Sequence, residues 1–356
     1  MKLVHPQFKL NGIPLDEDTL REVAYSWVKE GEDFEIQAGD FLLDWLSASG
    51  TLFVKTSGST GKPKTIPLKK KAMVNSALAT GQYFDLKPED AALLCLSTGH
   101  IAGKMMLVRA MVLGLQLDVV APSSYPMAGI KREYDFVAMV PLQVKNSLAA
   151  MNRIKTLIVG GAPIATSLRK QLAGQSNNIY ETYGMTETIT HVAVKKVSEP
   201  KGKAVEGCFE TLPGVSILKD ERGCLVIKAS NIADKPIVTN DLVDIIDKNH
   251  FKWLGRYDNV INSGGVKLIP EQIEKKLSAI ITNRFFVYGQ PDEDLGEQLI
   301  VVVEGKINTE ELWDAVRLLG TLDKFEIPRK IYTLDAFLET STTKIDRRNT
   351  MAKVLG

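Results

Sequence analysis

The sequence predicts an α/β chain: a large N-terminal domain of α/β layers with a small β subdomain, then a small C-terminal α+β domain. Three observations predict it. From about residue 72 to residue 183, apolar strand-like runs alternate with helix-like segments, the pattern of layered sheets with much parallel pairing. Past about residue 205 the pattern changes to short β segments with turn signals between them. Beyond Asp258 a compact unit of alternating strands and helices resumes.

The elements follow in order. Asp18-Thr19 ahead of Leu20, Val23, Trp27 and Val28 reads as a capped helix, and Phe41, Leu42, Trp45 and Leu46 as a second amphipathic one. The apolar run Leu52-Phe53-Val54 reads as a strand. Residues 72–83 are helix-like, 91–96 strand-like, 97–103 a turn, 104–113 a helix carrying Arg109, and 117–120 a strand. Segments 135–140 and 155–159 repeat the alternation. The apolar strand ending at Val159 runs into Gly160-Gly161-Ala162-Pro163, with a helix from about Ile164, and the strand 179–183 ends in Gly184-Met185-Thr186-Glu187-Thr188. Ligands in open α/β sheets sit at such carboxyl ends. Short strands follow at 215–218, 224–228 and 244–247, with a hairpin turn over 220–223. In the last part, Pro270 with Glu271 marks a helix start, strands are expected at 284–289 and 298–303, and a further helix from Thr309.

The 356 residues carry 44 basic and 43 acidic side chains, net +1. That balance argues against a general nucleic-acid or membrane-surface binder, because both rely on a basic field. The short run Lys69-Lys70-Lys71 reads as solvated surface. No N-terminal apolar leader is visible, and no stretch approaches the ~18 uninterrupted apolar residues of a membrane helix. Cys95, Cys208 and Cys224 are odd in number and widely spaced, which points to a reducing cytoplasm. The four histidines are scattered, so no transition-metal cluster is expected. Oligomeric state is left open.

One stretch stands out: Thr56, Ser57, Gly58, Ser59, Thr60, Gly61, Lys62, Pro63 and Lys64. Its hydroxyls, two glycines, two lysines and run of backbone N–H groups suit a polyphosphate. It is not a Walker loop, which requires Gly where Thr56 stands and Ser or Thr where Pro63 stands. Pro63 also disfavours a helix starting at Lys62. Read by itself, the stretch is equally a Ser/Gly-rich surface linker.

Five separated features then occur in order: this stretch; Gly160-Gly161-Ala162-Pro163; Tyr183-Gly184-Met185-Thr186-Glu187; Asp241; and Gly255-Arg256 followed by Lys344. Their words and order resemble the acyl-CoA synthetase, adenylation-domain and luciferase superfamily over about residues 52–348. The resemblance implies ATP, Mg²⁺ and coenzyme A as co-substrates and cofactors. It implies two half-reactions, adenylation of a carboxylate with loss of pyrophosphate and then displacement of AMP by a thiol. Residues 56–64 would hold the β- and γ-phosphates. Tyr183 would stack on adenine with residues 160–163 on the other side, and Gly184, next to Tyr183, would also contact the nucleotide. Thr186 would donate to the α-phosphate, and Glu187 would ligate Mg²⁺. Asp241 would accept both ribose hydroxyls, although Asn240 replaces the glycine usual before it. Arg256 would touch ribose or phosphate. Lys344 would be the catalytic lysine bridging carboxylate and α-phosphate, with Thr343 where the family often has glycine. Asp258 would be the hinge of a mobile C-terminal domain, dividing the chain into 1–257 and 258–356. Ser263, Gly264 and Gly265 would admit the thiol after rotation.

His100 and Gly103 match the family's motif near the acid site, with Gly99 in place of the usual aromatic. His100, Gly103 and Arg109 together resemble the o-succinylbenzoate–CoA ligases of menaquinone synthesis, in which a cation at this place faces the acid's second carboxylate. A cation on an apolar helix needs a partner. A dicarboxylic substrate would supply one, and so would an internal Asp or Glu. Other aryl or short acids, a carrier-protein thiol as acceptor, and a nucleotide-binding protein without turnover are the alternatives. Only about 50 residues precede the phosphate stretch, fewer than in the family's full-length members. That favours a small acid over a long fatty chain.

Overall fold

A computed structural model describes residues 2–55, 65–198, 207–340 and 345–355. Residues 56–64 and Lys344, singled out from the sequence, lie outside the described residues. The chain clusters into two compact units. The first comprises Met1–Ile217, Ile227–Ile237 and Ile246–Phe251, and the second Leu218–Val226, Val238–Ile245 and Lys252–Gly356. Parts of the expected β subdomain therefore cluster with the C-terminal residues.

In the first unit the strands run side by side in the order Phe209–Thr211, His191–Lys196, Asn178–Gly184, Ile154–Val159, Tyr134–Met139, Ala91–Leu94, Gln116–Val119, Lys9–Leu10 and Ile13–Pro14. From Asn178–Gly184 to Lys9–Leu10 every neighbouring pair is parallel. His191–Lys196 and Phe209–Thr211 are added antiparallel. Parallel strands buried on both faces should be apolar at nearly every position; Ala91–Leu94 and most of Tyr134–Met139 and Ile154–Val159 are, while Gln116–Val119 and Asn178–Gly184 carry polar residues as well. Ala92, Leu94, Phe136, Ala138 and Ile158 pack into one core with the helices Glu17–Glu30, Asp33–Leu46, Lys70–Phe84 and Ile101–Leu113. Leu93, Cys95, Val137, Met139, Leu157, Val159 and Ile179 face the other side, against the helices Pro141–Asn146 and Thr166–Ala173. The two-residue period of the strands thus sorts successive side chains into two cores.

Three local expectations change. The first helix is capped by Asp16, not Asp18: its carboxylate accepts from Thr19 N–H at 2.9 Å, while the Thr19 hydroxyl accepts from Asp16 N–H at 3.0 Å. Such reciprocal caps satisfy donors a helix start leaves orphaned. Lys70 is not solvated; it is 2% exposed and donates to the Ser47 carbonyl at 2.8 Å, whereas Lys69 pairs with Asp234. The strand expected at 244–247 is the longer Ile237–Ile245.

The second unit contains a sheet in the order Val266–Leu268, Ile261–Ser263, Gly296–Glu304 and Phe285–Asp292, with Lys330–Leu334 parallel to Gly296–Glu304. Alternation works here too: Val287, Leu299, Val301 and Val303 face Ile273 and Leu277 of the Pro270–Leu277 helix, while Phe286, Ile300 and Val302 face Phe337 and Met351. Among the described residues no helix is long and apolar enough to cross a membrane.

Candidate active site

Parallel order puts the carboxyl ends of Ala91–Leu94, Tyr134–Met139, Ile154–Val159 and Asn178–Gly184 on one edge of the first unit's sheet. The turns after three of these strands hold His100, residues 160–163, and residues 184–187, so features far apart in sequence share that edge. His100 is exposed at the N-cap of the Ile101–Leu113 helix. Gly103 is buried: a Cβ there would lie 2.3 Å from the Ser97 carbonyl oxygen, so glycine is required for the helix to pack on the turn before it. Gly161, Ala162 and Pro163 are exposed, Gly160 less so.

Tyr183 is half-buried, its ring centroid 5.7 Å from that of Phe209 and 5.3 Å from that of Phe251. Thr186 and Glu187 lie in a short 3₁₀ turn, Thr186–Thr188. Glu187 is exposed and, among the described residues, makes no hydrogen bond or ion pair. An unspent carboxylate at a strand end fits a hard cation that takes its other ligands from phosphate and water. The turn is tied from inside by Thr188, a residue the sequence did not single out. Its buried hydroxyl accepts from Met185 N–H at 2.8 Å and lies 2.7 Å from the Thr190 carbonyl.

Ile189 follows with φ 66° and ψ −55°, and Thr190 N–H donates across it to the Thr188 carbonyl at 2.7 Å. That is a γ-turn of the strained kind, on a β-branched residue that rarely adopts positive φ. Such a conformation costs of order 1–3 kcal/mol and persists where surrounding packing dictates it; Ile189 is 1% exposed. The turn presents Thr190 and His191 to Arg109.

Arg109 is 1% exposed. Its Nη2 donates to the Thr190 hydroxyl at 2.9 Å and lies 3.4 Å from His191 Nδ1, and its Nε lies 3.4 Å from the Thr80 hydroxyl. Among the described residues no carboxylate pairs with it, so the internal Asp or Glu that the sequence left open is not found there. Burial draws its pKa down to about 9, which still leaves the guanidinium charged at neutral pH. The donors sort themselves. Arg109 can only donate, so His191 Nδ1 accepts and its proton sits on Nε2, 3.5 Å from the Thr80 hydroxyl. Thr80 in turn donates to the Ser76 carbonyl at 3.0 Å.

Burial, and then the charge of Arg109, push His191 well below its ordinary pKa of 6.5. The native state therefore holds it neutral while the unfolded chain takes up a proton below pH 6.5. Its contribution to stability is complete above that pH and is lost as pH falls towards the lowered native value, at about 1.4 kcal/mol per pH unit. Chemical denaturation between pH 7 and pH 5 should show this slope in the parent and a flatter one in His191→Gln. Equal slopes would place the titration elsewhere.

In the second unit, Asp241, Arg256 and Asp258 form one network. Asp241 is 6% exposed, accepts from Trp253 Nε1–H at 3.1 Å, and lies 3.5 Å from Arg256 Nη1. Arg256 Nη2 reaches Asp258 at 2.9 Å. Asn240, which stands where the resembled family has glycine, donates to both Asp258 oxygens at 3.1 and 3.2 Å and accepts from Arg222 at 2.9 Å. Trp253 and Asn240 were missed as partners; an aromatic residue on a strand reads as core until its N–H is seen to be spoken for. Gly264 and Gly265, with φ 56° and 83°, make the two-residue turn between Ile261–Ser263 and Val266–Leu268.

Turns gathered at the carboxyl ends of parallel strands mark the ligand-binding edge of such a sheet. Residues 51–228 match the family model described as AMP-binding enzyme, and the chain belongs to that family. It is 38% identical to the acyl-CoA synthetase (AMP-forming)/AMP-acid ligase II-like protein from Dyadobacter fermentans, over 94% of this chain and 98% of that one, with a TM-score of 0.62. It is 25% identical over 337 residues to the 2-succinylbenzoate–CoA ligase of Bacillus cytotoxicus, covering 85% of this chain and 69% of the relative. Its fold is also that of the O-succinylbenzoate coenzyme A synthetase of Bacillus subtilis solved with ATP and magnesium ion, at TM-score 0.70 and 21% identity over 84% of this chain and 69% of that one. The chain spans about two thirds of the length of the 2-succinylbenzoate–CoA ligases it matches.

Proposed function

We propose that this chain is an ATP-dependent, AMP-forming acid–CoA ligase whose acid is o-succinylbenzoate, acting in the cytoplasm in menaquinone synthesis. An acid oxygen attacks the α-phosphorus, the bond to the β-phosphate breaks, and pyrophosphate leaves. The thiol sulfur of coenzyme A then attacks the acyl carbon, AMP leaves, and the thiol proton passes to solvent. Because the first step brings two anions together, positioning and charge neutralisation are what the protein has to supply. Residues 56–64 and Lys344 are assigned to the phosphates, Glu187 to Mg²⁺, Thr186 to the α-phosphate, and Tyr183 with residues 160–163 to the base. Asp241 and Arg256 are assigned to the ribose. His100 and Arg109 are assigned to the acid, Asp258 to a hinge dividing 1–257 from 258–356, and Ser263, Gly264 and Gly265 to the thiol's path.

One observation carries the choice of acid: Arg109 is a buried guanidinium held by three neutral groups, with no carboxylate among the described residues to meet its charge. A dicarboxylic acid brings the missing anion. The experiment is a panel of acids with ATP, Mg²⁺ and coenzyme A, read by product mass. The expected result is a coenzyme A thioester of o-succinylbenzoate formed in preference to benzoate and to short monocarboxylates. Preference for a monocarboxylate, or transfer only to a carrier-protein thiol, would replace the substrate assignment.

A further inference from the structure

We propose that Glu181 is a positioning residue that sets the spacing between the two sides of the base-binding cleft. The proposal rests on the reading of Tyr183 and the 160–163 turn as those two sides. Glu181 and Tyr183 are two residues apart on the Asn178–Gly184 strand and so share a face. The Glu181 side chain is 9% exposed. One of its oxygens accepts from Ile164 N–H at 3.1 Å, the first backbone donor after the 160–163 turn. The other lies 2.6 Å from Arg169 Nη2 and 2.7 Å from Lys195 Nζ. Burial alone would raise the carboxyl's pKa, but Lys195 and Arg169 outweigh it and hold Glu181 below the usual carboxylate range. It is therefore ionised at neutral pH, with acceptors enough for all three donors.

Each partner leads to one side of the cleft. Ile164 and Arg169 belong to the segment that follows the turn, Arg169 on the Thr166–Ala173 helix. Lys195 lies 4.4 Å above the Phe209 ring, and that ring packs against Tyr183. The carboxylate thus pulls the turn in through a backbone N–H and braces the aromatic side through Lys195. Between them the fit is tight: the Thr182 hydroxyl donates to the Val159 carbonyl at 3.2 Å, and a Cβ on Gly160 would lie 2.4 Å from that hydroxyl. The turn cannot shift toward the strand without a clash. In the opposite direction the start of the turn is held by the Gly160 N–H bond to the Met139 carbonyl at 3.1 Å, and its end by Glu181 through Ile164 N–H.

Misplacement of a binding wall by a fraction of an ångström to one ångström costs about tenfold or more. The test is AMP binding by calorimetry, steady-state kinetics, and thermal melting on the full chain. Glu181→Ala should raise the Kd for AMP and the KM for ATP by about tenfold, leave kcat and the acid's KM within about threefold, and Glu181→Gln should fall between it and the parent. General loosening of the fold would instead raise both KM values together, which would overturn the proposal, as would AMP affinity within about twofold of the parent. If Glu181→Ala does not fold, Arg169→Met carries the same test, since it removes one cation and leaves Lys195. Tyr183→Ala separates the two readings. If it leaves AMP affinity unchanged, the base-site assignment fails; if it weakens AMP while Glu181→Ala does not, only the role of Glu181 fails.

Discussion

Replacing Lys344 by alanine is expected to slow acyl-adenylate formation by about 10²–10³-fold, the loss that follows removal of one preorganised charge stabiliser, roughly 3 kcal/mol. The charge of a lysine there matters most when the attacking carboxylate and the α-phosphate approach, since both are anions and the developing bond crowds their oxygens. Once the adenylate exists that repulsion is gone. Transfer from a preformed acyl-adenylate to coenzyme A should therefore run at the parental rate in the variant. Single-turnover assays of the two half-reactions read this directly. Adenylation at the parental rate in Lys344→Ala would sink the mechanism, and equal loss in both steps would mean that Lys344 serves the fold or the second step as well.

The second large effect is expected at Arg109, and it has two opposite signs. A buried cation met only by neutral hydrogen-bond partners is paid little for its lost hydration. Arg109→Met, which keeps length and removes the charge, should leave stability unchanged or raise it by about 1–3 kcal/mol. The same change should raise the KM for a dicarboxylic acid by roughly 30- to 4000-fold, the 2–5 kcal/mol typical of breaking a buried charge pair, while the KM for ATP stays near the parent's. Denaturation and kinetics together decide the matter. A variant destabilised by several kcal/mol, with both KM values raised alike, would make Arg109 a structural anchor of the Thr80, Thr190 and His191 cluster. His191→Gln should mimic a mild form of the Arg109 defect, because its amide oxygen can still accept from the guanidinium.

Much of this was legible from residue order. The repeated strand, small-residue turn and helix from residue 91 to 188 announced a parallel sheet, because full burial on both faces leaves apolar runs that end abruptly in Gly, Ala and Pro. The helix of Phe41, Leu42, Trp45 and Leu46 was read from its spacing for the same reason, and all four are buried. Lys70 misled because a run of three lysines carries no mark of which one turns inward; the Ser47 carbonyl that receives it lies 23 residues away. Asp16 was passed over for Asp18 because both are good caps, and only the backbone decides which precedes the first helical turn.

By itself the sequence determined the family, the α/β class and the edge of the sheet where the turns gather, since these depend on short motifs and on the periods of helix and strand. Tertiary structure alone decided what surrounds Arg109 and Glu181. Arg109 meets Thr80, Thr190 and His191, residues 29, 81 and 82 positions away. No local pattern encodes those meetings, nor a γ-turn on an isoleucine, because an isolated chain would not adopt that turn; the packing of Ile189 into the core holds it there. Tertiary structure also showed that Asn240, read at first as a departure from pattern, holds Asp258 by two hydrogen bonds. Local propensity acts between neighbours in the chain, whereas the charge balance of a buried site is set by groups that only folding brings within 4 Å of one another.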